Sequence, residues 1–214
     1  MNCEILTHVD ANNALNIDYR GFYLCKSLKD ASFEKVLTIG NEVFDKCQSM
    51  TNIVIPNVSI VSENAFYKCS ELVTITLPNA TNILSSAFKF CSKLTNINLP
   101  MASIINANVF DSCSVLKSVD FPNVIKIVSS TFNSCSSLTT IKLPSLFEVN
   151  SNTFKDFTSL REITLTNAIS IGDNAFKGCI NLSNIDIVSV TSLGNSAFEG
   201  CSNLTNIDLQ NINT

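Results

Sequence analysis

The amino-acid sequence predicts an α/β repeat protein, a solenoid in which one short unit is stacked many times. Phenylalanine recurs every 22 residues, nine times and without insertion or deletion, along the 214-residue chain. These phenylalanines are Phe22, Phe44, Phe66, Phe88, Phe110, Phe132, Phe154, Phe176 and Phe198. Leucine or methionine stands six residues after each one, and all five prolines occupy a single position of the unit. A fixed period of this length is typical of a solenoid in which neighbouring units share one core.

Each unit contains a pattern that indicates a short β-strand. In residues 74–78, polar and apolar residues alternate, so Ile75 and Leu77 face one way while Thr74 and Thr76 face the other. Stacked copies of this segment must run parallel, because every copy has the same connection. The LxxIxL core of the unit fits the leucine-rich-repeat pattern, whose units contain about 20 to 29 residues. The sequence therefore predicts a right-handed leucine-rich-repeat solenoid with a parallel β-sheet on its concave face.

The return segment of each unit is predicted to form short helical turns on the convex face. Ala65, Phe66 and Cys69 are separated by one, three and four residues, a spacing that suits one or two helical turns facing inward. A residue that favours the N-cap of a helix precedes this segment in seven units. These expected N-caps are Asn64, Ser86, Asn108, Ser130, Asn152, Asn174 and Ser196.

A column of cysteines follows the phenylalanines at a distance of three residues. It occupies eight of the nine units, with Phe157 in the remaining one, and Cys3 lies on the same lattice. Stacked coils bring equivalent Cα atoms about 5 Å apart, so disulfide bonds or a metal site are alternatives to consider. Parallel side chains pointing into the core, the absence of a CxxC pair and the presence of Phe157 favour a buried column of free thiols. We expect no metal site and no cofactor.

The repeat predicts one domain over residues 1–214, made of about ten coils. Residues 1–21 form a degenerate N-terminal cap coil, and residues 22–214 form regular coils of which the last is incomplete or uncapped. That last coil leaves apolar residues, including Leu204, Ile207, Leu209 and Ile212, without a following coil. End-to-end self-association through this coil, giving a homo-oligomer, is therefore a hypothesis.

Catalysis, nucleic-acid binding and membrane insertion are not expected. The single histidine, His8, lies beside Glu4 and Asp10 in the cap coil and is interpreted as a surface residue. The net charge of −4 is not clustered, which disfavours nucleic acid. The chain has neither a run of eighteen apolar residues nor a secretory signal at its start. An enzyme that uses a cysteine thiolate is a further alternative, and it requires an exposed cysteine with a lowered pKa.

The predicted binding surface consists of polar residues that point outward between the core positions of the sheet. The candidate binding residues are Asn52, Thr74, Thr76, Asn96, Asn98, Asp120, Lys142, Arg161, Glu162, Thr164, Asp186 and Asp208. Charged residues, with Lys117 among them, concentrate in the C-terminal half. This surface predicts a non-enzymatic interaction or adhesion module for a protein or glycan partner. A merely solvated sheet face, in a structural spacer or self-assembling array, is the alternative.

Two segments carry a resemblance to a known family. Residues 171–179, IGDNAFKGC, and residues 193–201, LGNSAFEGC, resemble the IGxxAFxGC signature of BspA-like leucine-rich repeats, which occur in surface proteins of bacteria and parasitic protists. The resemblance extends over nearly the whole chain. The family's glycine is replaced in five other units, by Ser62, Leu84, Asn106, Val128 and Asn150. The resemblance implies a surface or secreted protein that acts in adhesion or host contact, without catalytic residues. Because the sequence shows no targeting segment, a cytoplasmic location stays open.

Overall fold

A computed structural model describes residues 3–212 and contains seventeen short strands and no helix in that range. Nine strands of three residues form one side of the solenoid. They are β1 (His8–Asp10), β3 (Asp30–Ser32), β5 (Asn52–Val54), β7 (Thr74–Thr76), β9 (Asn96–Asn98), β11 (Ser118–Asp120), β12 (Thr140–Lys142), β14 (Glu162–Thr164) and β16 (Asn184–Asp186). Eight strands of two residues form a second side. They are β2 (Asn16–Ile17), β4 (Thr38–Ile39), β6 (Ile60–Val61), β8 (Asn82–Ile83), β10 (Ile104–Ile105), β13 (Glu148–Val149), β15 (Ser170–Ile171) and β17 (Ser192–Leu193).

Equivalent strands pair in parallel with the 22-residue offset of the repeat. Ile75 lies opposite Ile53 on one side and Ile97 on the other. The longer strands form a five-stranded sheet, β1-β3-β5-β7-β9, and a four-stranded sheet, β11-β12-β14-β16. The shorter strands form the sheets β2-β4, β6-β8-β10 and β13-β15-β17. The predicted parallel solenoid is therefore confirmed.

The repeated phenylalanines form a stack of rings along the centre of the solenoid. Within each run, consecutive ring centroids are 5.2 to 5.8 Å apart, and the ring planes differ by at most 15°. Ile75, Leu77 and Leu72 pack around this stack and are buried. Since one coil supplies only one layer of this core, each coil is stabilised by the coils before and after it.

The prediction of helical turns is wrong for the described residues. Asn64 and Lys68, on either side of Phe66, have φ values of +54° and +56°, which a right-handed helix excludes. Every second backbone N–H group of this segment bonds to the next coil, while Ala65 N and Tyr67 N bond within their own coil. Phe66 N donates to Ala87 O at 2.8 Å, and Lys68 N donates to Lys89 O at 2.9 Å. The third side of the solenoid, called the turn face here, is thus a row of turns joined from coil to coil.

The expected N-cap residues have a different role in this turn. Six of the seven, all except Ser130, take a left-handed φ between +53° and +60°. Asparagine tolerates this conformation because its short polar side chain can bond locally. The same conformation recurs two residues after each phenylalanine from Phe22 to Phe198. It occurs there at Leu24, Lys46, Lys68, Phe90, Ser112, Ser134, Asp156, Gly178 and Gly200. A branched residue such as Leu24 adopts it only because the bonds between coils hold the turn.

The cysteine column joins each coil to the one before it. Cys113 Sγ donates to Phe88 O at 3.3 Å, and Cys135 Sγ donates to Phe110 O at 3.0 Å. The same bond, between 3.0 and 3.3 Å long, is made by every cysteine of the column from Cys47 to Cys201. Seven of the nine cysteines are buried, as the sequence predicts for a column of thiols in the core. Cysteine suits this position for two reasons. Its side chain is small enough for the core, and its S–H group is a weak hydrogen-bond donor.

Phe157 interrupts this arrangement on the turn face. Its ring lies 6.3 Å from that of Phe154, and within the described chain no ring contact joins Phe154 to Phe132. The described residues also lack the inter-coil bonds that Phe132 N and Ser134 N would otherwise donate. A cavity of about 120 Å³ lies between Phe132, Phe154 and Phe157. A phenyl ring in place of a thiol therefore separates two coils that still pair through β12 and β14.

Truncation of a central cysteine tests the contribution of the thiol column. Cys113→Ala removes a fully buried Sγ and its bond to Phe88 O. We expect the free energy of unfolding to fall by about 1 to 3 kcal/mol, the cost of lost apolar burial and an unfilled cavity. The measurement is urea denaturation followed by circular dichroism.

The matched control is Cys201→Ala in the last described coil. Cys201 makes the same bond, to Phe176 O at 3.1 Å, but is only partly buried. Its loss should cost less than half as much. Equal losses at the two positions would contradict a stability that depends on neighbouring coils.

Candidate interaction face

The outward side chains of the nine three-residue strands form one surface, called the strand face here. In each strand the middle residue points into the core, while the first and third residues point outward. In β9, Ile97 is buried, whereas Asn96 and Asn98 are exposed. Because the strands are in register, the outward residues form two straight columns along the solenoid. The outward side chains therefore form one surface along the solenoid, and they do not pack in the core.

The predicted residues of the N-terminal half lie on the five-stranded sheet. They are Asn52, Thr74, Thr76, Asn96 and Asn98, and all are uncharged. Thr74 Oγ1 donates to Asn52 Oδ1 at 2.8 Å, across two neighbouring strands. The side chains on β5, β7 and β9 at these positions are small, polar and uncharged, and Thr74 and Asn52 bond to each other. This part of the face is therefore nearly flat and carries no charge at the predicted positions.

The predicted charged residues lie on or beside the four-stranded sheet. Lys142 Nζ is 3.9 Å from Asp120 Oδ2, and both side chains are more than half exposed. Glu162 accepts a bond from Asn184 Nδ2 at 3.2 Å. Arg161 is exposed immediately before β14 and makes no ion pair within residues 3–212. The guanidinium of Arg161 is thus next in sequence to the carboxylate of Glu162. It lies just before β14, the strand that pairs with the strand of Lys142.

Two further predicted residues are on this sheet, and one is not. Thr164 and Asp186 occupy the outward positions at the ends of β14 and β16. Asp208 was placed on the next strand, but residues 203–209 form no strand. Its carboxylate accepts bonds from the backbone N and the side-chain Nε2 of Gln210, at 3.2 and 3.4 Å. The assignment of Asp208 to the sheet is wrong, because the backbone of residues 205–209 makes no hydrogen bond to β16 in the described part of the chain.

Sequence reasoning missed the N-terminal end of the face. His8 and Asp10 point outward from β1, and the imidazole of His8 pairs with the carboxylate of Asp30 on β3. The surface interpretation of His8 agrees with its exposed side chain. The sequence contains a signal for these residues, because His8 and Asp30 lie 44 and 22 residues before Asn52 and so occupy the same position of the repeat. The strand face is therefore charged at both ends and neutral in the middle.

The two sheets of the strand face are separated between β9 and β11. Among the described strands, all other consecutive members of the face are paired. Phe121, directly after β11, occupies a core position at which the neighbouring coils have Leu99 and Leu143. Its ring packs 5.8 Å from that of Phe110. Phe33 occupies the same position in an earlier coil, where β3 remains paired with β1 and β5, so the phenylalanine alone does not explain the interruption.

The buried cysteines do not have the properties of a catalytic thiolate. Burial raises the pKa of the Cys135 and Cys179 thiols to about 12. The pKa values of Cys69 and Cys113 are also raised by burial, well above their ordinary value. A reactive cysteine requires the opposite shift. In residues 3–212 there is also no group of three His, Cys, Asp or Glu side chains placed to hold a metal ion.

Residues 3–212 contain no helix with the length and apolar character needed to cross a membrane. In the last coil, Leu204 is partly buried, and Ile207, Leu209 and Ile212 are partly buried against the core. Self-association through this coil stays a prediction.

Comparison with known proteins identifies relatives of this solenoid. A model of the BspA type leucine rich repeat region matches in six copies, over residues 1–59, 15–139 and 125–214. The crystal structure of a leucine-rich repeat protein from T. pallidum is 32% identical in sequence, with a TM-score of 0.64, over 72% of this chain and 77% of that one. A comparison with curated proteins found no match.

Two bacterial structures with lower identity show the same fold. A leucine-rich repeat protein from Bacteroides ovatus is 21% identical, with a TM-score of 0.52, over 95% of this chain and 78% of that one. A leucine-rich repeat protein from Eubacterium ventriosum is 14% identical, with a TM-score of 0.55, over 99% of this chain and 81% of that one. These likenesses extend the fold over almost the full chain.

Thiol labelling of the folded protein tests whether any cysteine is activated. Cys3 is exposed and Cys201 is partly buried, whereas the other seven cysteines are buried. With iodoacetamide at neutral pH, we expect Cys3 to react fast, Cys201 slowly, and the seven buried thiols only after denaturation. Mass spectrometry of the labelled peptides measures the rates. A fast reaction at a buried cysteine would support thiolate chemistry and contradict the pKa directions given above.

Proposed function

Because the chain belongs to the BspA-type leucine-rich repeat family, we propose that it is a non-enzymatic interaction module that binds a protein or glycan partner on its strand face. Solenoids of this kind use extended sheet surfaces as scaffolds for interaction. We place the module in adhesion at a cell surface or outside the cell, as the family resemblance implies. The binding residues are the predicted residues of the strand face other than Asp208.

The observation that carries this proposal is the separation between positions that build the fold and positions on the strand face. Phenylalanine, cysteine, leucine and isoleucine of the repeat are used in the core. The outward columns contribute nothing to that core, so their residues are available for a partner. They change from neutral on β5, β7 and β9 to charged on the four-stranded sheet, so the two parts of the face present different chemistry to a partner.

The charged part of the face has the features of an energetic centre for binding. Arg161 offers a planar guanidinium, one of the side chains enriched among residues that dominate interfaces. The exposed pair of Lys142 and Asp120 has a long distance of 3.9 Å and contributes about 0 to 1 kcal/mol to stability. Because this pair contributes so little, Lys142 and Asp120 can each form an ion pair with a binding partner at little cost in free energy.

A structural spacer or self-assembling array is the second function that fits the repeat. In a spacer, the strand face is only solvated, and its charges have no partner. The two functions differ in one measurable property, the dependence of partner binding on the charged residues of the face.

A triple substitution on the strand face separates the two functions. Lys142→Ala, Arg161→Ala and Glu162→Ala together remove two positive charges and one negative charge from exposed or partly exposed positions. We expect at least about a tenfold loss of affinity for the partner, since loss of a central interface residue costs more than about 1 kcal/mol. Binding to panels of purified matrix proteins and surface glycans is measured by biolayer interferometry.

The matched control removes the same charges elsewhere. Lys26→Ala, Glu71→Ala and Lys93→Ala also delete two positive charges and one negative charge, from exposed pairs outside the strand face. This variant should keep the affinity of the unmodified chain. If the two triple variants bind equally well, the strand face is not the binding surface.

A further inference from the structure

A groove crosses the turn face of the first four coils, on a different side from the strand face. Its volume is about 430 Å³. One wall consists of residues two positions before the repeated phenylalanines, namely Arg20, Glu42, Asn64 and Ser86. The other consists of residues one position after them, namely Tyr23, Asp45, Tyr67 and Lys89. Four stacked coils give these walls a length of about 14 Å, at 4.7 to 4.9 Å per coil. We call this feature the tyrosine groove.

Two of the three tyrosines of the chain line this groove, and the third, Tyr19, contacts Arg20. Tyr23 and Tyr67 are in its wall, and the guanidinium carbon of Arg20 lies 4.7 Å from the Tyr23 ring centroid and 4.9 Å from that of Tyr19. The Tyr67 ring meets the Phe90 ring edge to face, with centroids 5.6 Å apart. Tyrosine presents an apolar face together with a hydroxyl group, and both are suited to contact with a ligand that is itself amphipathic.

Asp45 lies between Tyr23 and Tyr67 in the same column and is the least expected residue of the groove. Its side chain is only 8% exposed. Oδ2 is 3.8 Å from Lys46 Nζ, while Oδ1 has no hydrogen-bond partner within the described part of the chain. A buried acceptor without a donor costs free energy. The core does not require a carboxylate here, because Tyr23, Tyr67 and Lys89 occupy the same position in neighbouring coils.

The charges of the groove are balanced. Arg20 Nε donates to Glu42 Oε2 at 2.7 Å, and Lys89 Nζ is 2.8 Å from Asp111 Oδ2. Lys46 faces Asp45. The groove therefore attracts neither a polyanion nor a polycation. It also has no deep apolar pocket of the kind that receives the anchor residue of a protein partner.

Both walls instead offer donors and acceptors side by side, next to aromatic rings. A hydroxyl group is both a donor and an acceptor, so it bonds to either kind of group. A sugar ring adds an apolar face that packs on tyrosine. An uncharged ligand that is long, rich in hydroxyls and partly apolar matches this groove in length, charge and chemistry.

We propose that the tyrosine groove binds a neutral oligosaccharide, independently of the partner bound on the strand face. Tyr67 packs against a sugar ring, and Asp45 Oδ2 and Glu42 accept bonds from sugar hydroxyls. Arg20 and Asn64 donate to hydroxyl or ring oxygens on the opposite wall.

Tyrosine fluorescence reports on this groove, because the chain contains no tryptophan and two of its three tyrosines line the groove. The probes are uncharged tetrasaccharides of glucose, mannose, galactose and N-acetylglucosamine, with a heparin tetrasaccharide and an unstructured hexapeptide as the other ligand classes. We expect a saturable change in emission with at least one neutral sugar. If none of the four neutral sugars changes the emission, or if only heparin or the peptide does, the proposal is wrong.

Substitutions then locate the bound sugar, with affinity measured by calorimetry. Asp45→Asn and Tyr67→Ala should each weaken binding by about tenfold or more, the effect of about 1.4 kcal/mol. Glu199→Gln is the matched control, since Glu199 occupies the same repeat position as Asp45 but pairs with Lys177 at 2.8 Å in the last coil. It should bind as the unmodified chain does. Unchanged affinity in both groove variants, with urea midpoints that show intact folding, would overturn the assignment.

The strand-face triple variant distinguishes this inference from the proposed function. It should keep its affinity for the sugar, because Lys142, Arg161 and Glu162 lie outside the groove. A loss of sugar binding in that variant would place the sugar on the strand face and contradict a second site.

Stability as a function of pH gives a test of the Asp45 environment that needs no ligand. Burial raises the pKa of this carboxyl, and Glu42 adds to the effect, while Lys46, Lys68 and Arg20 oppose it. The folded chain therefore holds the proton more tightly than the unfolded chain. The resulting stability is present at low pH and is lost as the pH rises through the raised pKa.

Asp45→Asn has no such proton. We therefore expect the urea midpoint of the unmodified chain to fall relative to that of Asp45→Asn as the pH is raised from about 3 to about 7. Parallel curves would show that the carboxyl is not buried in the way described.

Discussion

The bond from each coil to the next on the turn face is the constraint on which the other features depend. Phe66 N reaches Ala87 O, and the same bond recurs along most of the chain. Because these N–H groups are used between coils, the return segment cannot be a helix, and left-handed φ occurs on both sides of the phenylalanine, as at Asn64 and Lys68. These two residues keep the turn short. It places the phenylalanine of one coil directly over that of the next, so the ring stack, the thiol column and the strand register all keep the same spacing.

The sequence was sufficient for the parts of the fold that depend on periodicity. The parallel strands, the buried phenylalanines and the cysteine column all follow from one 22-residue lattice. The turn face was not predictable in this way, because Ala65, Phe66 and Cys69 have a spacing that suits a helix, and only bonds to another coil exclude it. Asp208 was assigned to the sheet by the lattice alone, although Gln210 provides a local partner for its carboxylate. The groove around Asp45 was also missed, since its walls combine residues of four coils and no single unit contains the pattern.

The molecule presents two exposed surfaces of different chemistry on separate sides. The strand face is built from small polar residues and, toward the C-terminal end, from charged ones. The tyrosine groove is aromatic, balanced in charge and confined to the first four coils. Neither surface contributes a repeated core residue. The repeat can therefore carry different residues on each side of a coil, provided that phenylalanine, cysteine and leucine remain in place.

Phe157 interrupts the regular contacts of the turn face at one junction between coils. A chain of identical coils has equal coupling between all neighbours and behaves cooperatively as one unit. Between the coils of Phe132 and Phe154, however, the ring stack, the thiol bond and the turn-face bonds are all interrupted, and β12 with β14 and β13 with β15 retain the connection. On the turn face, this junction has fewer contacts than its neighbours. The two strand pairs, rather than the ring stack and the thiol column, therefore join these two coils.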